Sequence, residues 1–254
     1  MGAQASITQA MVLGAGLGSR MGPLTAHRPK PLVKVAGNAL LDHVLDRLVA
    51  TGVTRAVVNV HYLADMMEAH LEGREAPEII ISDERALRLE TGGGVRKALG
   101  HFNGEAFFIH NSDAIWREAD TMHTDGALRQ LAARFNPAFM DTVFLLAPVA
   151  HTLGYDGQGD FDLLEDGRVV RASGDGAAYV FAGVSVAHPR MFDGIKVEAF
   201  SLNRVWDRAI AHGRAFGCVL DGLWMHVGTP DAVAAAEAAL VGARGADHFG
   251  GRGA

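Results

Sequence analysis

The stretch from residue 13 to residue 32, LGAGLGSRMGPLTAHRPKPL, constrains this chain more than any other. It follows a short apolar run and combines four glycines with three cations, and Pro29 and Pro31 flank Lys30. No carboxylate occurs before Asp42, although the formal net charge of the chain is −6. Glycines let backbone N–H groups approach an anion closely, and fixed cations neutralise its charge. The stretch therefore predicts a loop that binds a polyphosphate.

Apolar runs and helical patterns alternate along the first half of the chain. Strands are predicted at residues 8–13, 55–60, 78–81 and 106–110, and helices at residues 39–51, 62–71 and within 89–99. Asn38 is expected to cap the first helix and Gly52 to end it. This order predicts an α/β fold with a parallel sheet covered by helices. Ligands of such sheets bind beyond the carboxyl ends of the strands, so the Gly14 loop and Asp113 are expected to face one pocket.

The second half of the chain has shorter strand-like runs. We predict strands at residues 142–149, 160–164, 168–172, 179–187, 214–220 and 224–227, and helices at residues 126–135, 202–212 and 230–240, the last two capped by Ser201 and Thr229. The turn-rich runs predict a small antiparallel extension on the acceptor side of the pocket. No linker divides the chain, so residues 1–242 are expected to form one domain and residues 243–254 a disordered tail.

The composition excludes several classes of protein. An apolar fraction of 49% supplies a core, and a charged fraction of 20% argues against disorder. The net charge of −6 leaves no broad basic surface, so nucleic acid is not an expected partner. One cysteine, Cys218, rules out an internal disulfide framework. No run is apolar over the length of a membrane span and no signal peptide is evident, so we expect a cytoplasmic protein that binds no membrane.

Two further segments carry candidate chemistry. Asp113 follows a predicted strand and the polar pair Asn111-Ser112, where an aspartate suits Mg²⁺, a cation that prefers oxygen donors and bridges phosphates. The alternative is an aspartate that only forms a turn. The run Gly92-Gly93-Gly94 at a helix start can lie beneath a base or donate N–H groups to phosphate, with Glu90 as a base contact, or it can be a flexible loop.

These motifs together resemble the sugar-1-phosphate nucleotidylyltransferases. In that family Gly-x-Arg-Met-x-Pro-Leu-Thr is followed, after three residues, by Pro-Lys-Pro-Leu. The matching residues are Gly16, Gly18, Arg20, Met21, Pro23, Leu24, Thr25, Pro29, Lys30, Pro31 and Leu32. The resemblance continues through residues 89–94, 111–113, 159–161, 181–183 and 224–229. The short length and the LETGGG form resemble bacterial N-acetylmuramate-1-phosphate uridylyltransferases of cell-wall (peptidoglycan) recycling most, and mannose-1-phosphate guanylyltransferases next.

The resemblance implies a Rossmann-like nucleotidyltransferase fold with a mixed, mostly parallel central sheet. It also implies that a sugar 1-phosphate attacks the α-phosphorus of UTP or GTP in line and displaces pyrophosphate. The nucleophile is already an anion, so catalysis needs positioning and charge neutralisation but no general base. By the same resemblance Arg20, Lys30 and Asp113 are catalytic. Lys30 bridges the α-phosphate and the sugar phosphate, and Asp113 binds Mg²⁺ or Mn²⁺.

The remaining site residues are implied in the same way. The nucleotide contacts are Leu13, Gly14, Ala15, Gly16, Gly18, Ser19, Arg20, Glu90, Thr91, Gly92, Gly93, Asn111 and Ser112. The sugar-phosphate contacts are Lys30, Asp160 and Gly183. The functional unit is expected to be a monomer or a small homo-oligomer.

Two positions depart from the family pattern. Ser112 stands where glycine is usual, and His226 replaces the aspartate of Trp-x-Asp-Val-Gly-Thr, which is the second metal ligand of the family. A neutral imidazole is a poor ligand for Mg²⁺ and prefers softer ions such as Mn²⁺ or Zn²⁺. His226 is therefore a candidate ligand of a different metal. The alternatives are a site built on Asp113 alone, a contribution from Asp221, or weakened activity.

Two other classes of protein remain open at this point. Lost activity at His226 would make the chain a nucleotide-binding regulatory module. A nicotinamide dehydrogenase is the third hypothesis, but its glycine fingerprint needs glycine at position 19, where Ser19 stands.

Overall fold

The central sheet and its helices follow the alternation of the sequence. In the computed structural model, which describes residues 6–119, 126–174 and 176–246, the strands are β1 (Gln9–Leu13), β2 (Lys34–Val35), β3 (Asn38–Ala39), β4 (Arg55–Val60), β5 (Glu78–Asp83), β6 (Phe107–Asn111), β7 (Ala114–Glu118), β8 (Thr142–Pro148), β9 (Thr152–Leu153), β10 (Phe161–Leu163), β11 (Val169–Arg171), β12 (Tyr179–Ala187), β13 (Ala215–Val219) and β14 (Gly222–His226). The α-helices are α1 (Leu40–Thr51), α2 (Ala64–Leu71), α3 (Glu90–Ala98), α4 (Ala127–Arg134), α5 (Asn203–Ala211) and α6 (Pro230–Ala246).

The main sheet has nine strands and mixed directions. Along one path the order is β11-β10-β12-β6-β1-β4-β5, and β8 pairs with both β12 and β13. Strands β6, β1, β4 and β5 are parallel, whereas β12 runs antiparallel to both β6 and β8. The predicted Rossmann-like fold with a mixed central sheet is confirmed, and the antiparallel strands β10 and β11 form the predicted extension.

Both faces of the central strands are buried. On β1, Ala10 and Val12 belong to one hydrophobic core, and Met11 between them belongs to the core on the opposite face. A strand that is covered on both faces reads as a continuous apolar run, which is why β1 and β4 were visible in the sequence.

A small second sheet, which the sequence did not predict, lies beside the site. Strand β14 runs antiparallel to β7 and parallel to β9, and it pairs with both. A third hydrophobic cluster packs against it and includes Met21, Ile115, Met225 and Ala236. The chain therefore turns between β6 of the main sheet and β7 of the small sheet at Ser112 and Asp113, and does not simply end a strand there.

Several element boundaries differ from the sequence prediction. Asn38 does not cap α1, because it belongs to β3 and Ala39 takes the N-cap position. Helix α2 begins at Ala64 and not at Tyr62, whose hydroxyl donates to the carbonyl oxygens of Thr25 and Ala26 at 3.1 Å each. Gly52 ends α1 with φ 104°, as predicted.

The last helix is longer than predicted. Thr229 accepts a hydrogen bond from the backbone N–H of Ala232 at 3.4 Å, so the predicted cap is confirmed. Helix α6 continues to Ala246 instead of ending near Leu240, so it includes the first four residues of the predicted tail. The disorder of that tail stays a prediction. Residues 247–254 lie outside the described residues, and the single domain over residues 1–242 stays a prediction. No helix among the described residues combines the length and apolarity needed to span a bilayer.

Candidate active site

A cavity of about 410 Å³ opens beyond the carboxyl ends of β1, β4 and β6. It is lined by Leu13, Ala15, Gly16, Lys30, Pro31, Asn59, Arg88, Glu90, Thr91, Asn111, Ser112, Asp113 and Ser201. The expectation that the glycine-rich loop and Asp113 face one pocket is therefore confirmed. We call this space the first cavity.

A second cavity of about 450 Å³ adjoins the first one at Asn111 and Asp113, which line both. The second cavity also contains Arg20, Asp160, Gly183 and His226 among its lining residues. The residues predicted to bind nucleotide thus gather mainly around the first cavity. Of the residues predicted to bind the sugar phosphate, Asp160 and Gly183 line the second cavity, whereas Lys30 lines the first. Asp113 lies where the two meet.

Lys30 connects the glycine-rich loop to Asp113. Its Nζ atom lies 2.5 Å from Asp113 Oδ2, and the lysine side chain is only 12% exposed. Burial alone would raise the pKa of Asp113, but the charge and hydrogen bond of Lys30, with a contribution from His226, outweigh burial and lower this pKa. Asp113 is therefore ionised near neutral pH, and the ion pair holds the two loops together.

The loop around Gly18 folds tightly enough to bring Arg20 to the cavities. Gly18 has φ +64°, and a Cβ atom there would lie 2.8 Å from the Cβ atom of Lys30. The Gly18 carbonyl accepts hydrogen bonds from Met21 N and Thr25 Oγ1, each at 2.9 Å. Arg20 is exposed in the segment that follows, and it forms no hydrogen bond or ion pair with the rest of the described chain. Its guanidinium is available to a ligand.

Three backbone N–H groups predicted to be available to phosphate are already used. Gly14 N donates to Asn59 Oδ1 at 2.7 Å. Gly92 N and Gly93 N donate to the carbonyl oxygen of Phe200 at 2.8 and 3.1 Å. These three N–H groups are therefore engaged within the protein in this structure, and nucleotide contact at Gly14, Gly92 and Gly93 stays a prediction. The glycines at 92 and 93 are needed for packing, because a Cβ atom on either would collide with residues 198–200.

Glu90 and Thr91 do border the first cavity. Thr91 Oγ1 also accepts a hydrogen bond from Leu202 N at 2.9 Å, so its side chain anchors the start of α5. Asn59, Arg88 and Ser201 line the same cavity and were missed in the sequence. Asn59 lies near the carboxyl end of β4. It could have been predicted on the same ground as Asp113, because ligands of such sheets bind beyond the carboxyl ends of the strands.

Asp160 and Gly183 shape the second cavity from neighbouring segments. Asp160 Oδ2 accepts a hydrogen bond from Phe181 N at 2.9 Å, so the carboxylate holds β12 in place. Gly183 has φ +86°, and a Cβ atom there would lie 2.3 Å from the Cβ atom of Ala114. Strand β12 therefore passes directly over the turn that carries Asp113. Arg171, which lines this cavity too, was missed in the sequence.

His226 faces the Lys30–Asp113 pair from the end of β14. It pairs in register with Ala114, the residue after Asp113. Burial lowers the pKa of His226; the charge of Asp113 opposes this shift, whereas Lys30 and Arg20 reinforce it. The imidazole is therefore neutral at pH 7. Asp221 lies just before β14, at the end of the strand opposite His226, and lines neither cavity, so the alternative in which it replaces the missing carboxylate is wrong.

The donor set around Asp113 suits a divalent cation that shares its ligands with a substrate. Within the described ranges, no group of three or more His, Cys, Asp or Glu side chains gathers as a ready-made metal cage. Mg²⁺ commonly binds through one or two carboxylates together with phosphate oxygens and water. Asp113, at the junction of the two cavities, fits that pattern.

A buried aromatic and cationic stack supports the turn from behind. His110 is fully buried and its Nδ1 lies 2.8 Å from the carbonyl oxygen of Asn111. Burial lowers the pKa of His110 to about 4, so the ring is neutral. His110 stacks on Trp116. The guanidinium of Arg47, a residue of α1, lies 3.8 Å from the centre of the Trp116 ring. The turn is therefore packed against a buried stack of side chains.

The chain is similar to known nucleotidyl transferases over most of its length. It is 49% identical to an N-acetylmuramate alpha-1-phosphate uridylyltransferase of Caulobacter vibrioides, over 91% of this chain and 96% of that one. It is 29% identical to a Dictyostelium discoideum mannose-1-phosphate guanylyltransferase catalytic subunit beta, over 87% of this chain and 61% of that protein.

The fold of this chain is also similar to that of a solved transferase. The structure of the inositol-1-phosphate CTP transferase from T. maritima superposes with a TM-score of 0.72 at 20% identity, covering 90% of this chain and 92% of that one. The nucleotidyl transferase family itself matches residues 9–171, which is more than half of the chain. With this match and the relative at 49% identity, the chain belongs to the nucleotidyl transferase family.

Proposed function

We propose that this protein transfers a uridylyl group from UTP to N-acetylmuramate 1-phosphate, releasing pyrophosphate and forming UDP-N-acetylmuramate. The observation that carries the transfer reaction is the junction of two cavities at Lys30 and Asp113. The choice of base and sugar is supported by the Caulobacter relative, because its similarity extends over nearly the whole of both chains. A role in cell-wall recycling in the cytoplasm follows from that choice.

The geometry supports a division of labour between the cavities. The nucleoside triphosphate occupies the first cavity, with its base near Glu90 and Thr91 and its phosphates along the loop at Gly16. The sugar 1-phosphate occupies the second cavity, near Asp160 and Gly183. The two phosphates that react then meet beside Lys30, the position from which in-line attack on the α-phosphorus is possible.

Lys30 and Arg20 provide the charge that such a reaction needs. Two phosphate groups repel each other as they approach, and charge develops on the equatorial and leaving oxygens. Lys30 is held in place by Asp113 before substrate binds, so little reorganisation is required during the reaction. Arg20 has no partner among the described residues and lines a small space with Gly16, Gly18 and Ser19, where the β- and γ-phosphates fit.

Members of this family generally use a divalent metal, and we place it at Asp113. When bound, the cation neutralises charge on the phosphates and orients them. Asp113 supplies the protein carboxylate, and the neutral His226 beside it favours Mn²⁺ more than the aspartate of the family pattern would. A second candidate function, a nucleotide-binding regulatory module with weak catalysis, is favoured by the same missing carboxylate.

A substrate panel tests the proposal. The purified protein is incubated with UTP, GTP, CTP or dTTP and with N-acetylmuramate 1-phosphate, N-acetylglucosamine 1-phosphate or mannose 1-phosphate, in Mg²⁺ or Mn²⁺, and pyrophosphate release is measured. We expect the fastest release with UTP and N-acetylmuramate 1-phosphate. Fastest release with GTP and mannose 1-phosphate would transfer the assignment to a guanylyltransferase. Tight UTP binding without release in any combination would favour the regulatory module.

A further inference from the structure

A chain of buried hydrogen bonds connects the two segments that border the first cavity. Gly14 N donates to Asn59 Oδ1 at 2.7 Å, and Asn59 Nδ2 donates to Glu84 Oε1 at 2.8 Å. Leu89 N donates to the other carboxylate oxygen, Glu84 Oε2, at 2.9 Å. The chain therefore runs from the glycine-rich loop, through β4 and the residue after β5, to the residue before α3.

This connection is sealed from solvent. Asn59 is 2% exposed and Glu84 is 1% exposed. Glu84 forms no ion pair with a cation in the described parts of the chain, so its carboxylate depends on amide donors. A Cβ atom on Gly94 would lie 2.7 Å from Asn59 Nδ2 and 2.8 Å from Glu84 Oε1, so the backbone of α3 closes over the pair. A buried carboxylate is tolerated only where its hydrogen bonds are made, so this geometry is strongly specified.

The two ends of the connection hold cavity-lining backbone on opposite sides. Gly14 lies between Leu13 and Ala15, which both line the first cavity. Leu89 precedes Glu90, a lining residue whose φ of +59° is unfavourable for a residue other than glycine. The strained backbone at Glu90 persists only if its neighbours hold it, and the Glu84 hydrogen bond to Leu89 N does so.

We propose that Asn59 and Glu84 act as one positioning unit that sets the spacing between the glycine-rich loop and the Leu89–Glu90 turn. This spacing is the width of the slot that receives the nucleotide. Glu84 does not line the cavity, so it acts through the Asn59 side chain on one side and through the backbone of Leu89 on the other. The proposal rests on the proposed function only in taking the first cavity as the nucleotide site. It predicts that damage to the unit weakens nucleotide binding far more than sugar-phosphate binding.

The donor and acceptor pattern allows an exchange experiment. In Asn59→Asp, a carboxylate oxygen faces the Glu84 carboxylate, and in Glu84→Gln, one amide donor has to face another N–H group. In the double variant Asn59→Asp/Glu84→Gln all three hydrogen bonds return. The new carboxylate accepts from Gly14 N and from the new amide group, and the new amide oxygen accepts from Leu89 N. The formal charge and the side-chain volumes match those of the original pair.

We expect each single variant to weaken UTP binding at least about tenfold, which corresponds to one lost buried hydrogen bond. The double variant is expected to return to within about threefold of the original protein. UTP affinity is measured by titration calorimetry without sugar phosphate, so the result does not depend on turnover. In active protein, the KM for UTP should rise in the single variants and the KM for the sugar phosphate should stay within about threefold. Glu78→Gln on β5, an exposed carboxylate in an ion pair with Arg55, is the matched control and should leave UTP affinity unchanged.

Two results would overturn the positioning unit. One is a folded single variant, checked by circular dichroism and thermal unfolding, that binds UTP as tightly as the original protein. The other is a double variant that binds UTP no better than the single variants, or that fails to fold. If a single variant does not fold, the double variant alone decides: a folded protein with near-original UTP affinity supports the unit, and a weaker one refutes it. If the original protein released no pyrophosphate but the variants still differed in UTP affinity as expected, the proposed function would be refuted and the positioning unit would be supported.

Discussion

Replacement of Lys30 by methionine is the most direct test of the site. Lys30→Met keeps an unbranched side chain that is one atom shorter, and it removes the ammonium group with its charge and its hydrogen bond to Asp113. The Nζ atom lies 2.5 Å from Asp113 and the side chain is 12% exposed, so solvent screens its charge less than it would at the surface. A phosphate oxygen about 4 Å away would interact with it by about 4 kcal/mol at an effective dielectric constant of about 20.

That energy translates into a large loss of turnover. Removal of one preorganised donor to developing charge typically costs about 3–4 kcal/mol, or about 100- to 1000-fold in kcat. The two estimates agree, so we expect kcat for pyrophosphate release to fall at least about 100-fold at saturating UTP, sugar phosphate and divalent metal. Asp113 also loses the cation that offsets its burial, so its pKa rises. The thermal unfolding temperature should fall by only a few degrees, because Asp113 is 26% exposed.

Lys34→Met provides the control for this experiment. Lys34 is exposed on β2, four residues further along the chain, and lines neither cavity. It should retain kcat within about twofold. A folded Lys30→Met protein with kcat within about threefold of the original would remove Lys30 from the mechanism. An equal loss in both variants would show that general charge, and not the position of Lys30, is responsible.

Two further predictions concern protonation and metal. Because burial lowers the pKa of His110 from 6.5 to about 4, the unfolded state binds the proton first as pH falls. The contribution of His110 to the free energy of unfolding should therefore fall by about 3 kcal/mol between pH 7 and pH 4. In urea titrations, His110→Leu should lack this part of the pH dependence. If the free energy of unfolding of His110→Leu depended on pH as steeply as that of the original protein, the lowered pKa of His110 would be refuted. Chelation with EDTA should abolish pyrophosphate release, and added Mg²⁺ or Mn²⁺ should restore it. In a separate experiment, His226→Asp should raise the ratio of the activity with Mg²⁺ to the activity with Mn²⁺. Full activity in EDTA, or an unchanged ratio, would contradict the placement of the metal beside Asp113 and His226.

The local patterns of the sequence were sufficient for the central strands. The bounds of β4 and β12, Arg55–Val60 and Tyr179–Ala187, agree with the prediction residue for residue. Both strands are mostly apolar runs, RAVVNV and YVFAGVSVA, because most of their residues are buried. The approach of Lys30 to Asp113 across 83 positions was also predictable in outline, since both residues follow strands whose carboxyl ends share one edge of the sheet.

Element ends and the small second sheet were predicted less well. Strand β7 follows directly after Asp113, and its pairing partner β14 is more than a hundred residues away. Nothing in the local pattern distinguishes a chain that ends at a turn from one that enters a second sheet. Asn38 failed as a cap for a similar reason, because β2 and β3 form a hairpin that leads directly into α1.

The sequence by itself determined the family and the set of residues that carry charge to the site, because those depend on residue types at fixed spacings. The tertiary structure alone decided which polar groups are available. It engages the amides of Gly14, Gly92 and Gly93 with Asn59 and Phe200, and it buries Glu84 where its two oxygens connect two loops. A hydrogen bond between distant segments depends on where those segments meet in space, and that is set by packing of the whole core and not by the residues around each partner.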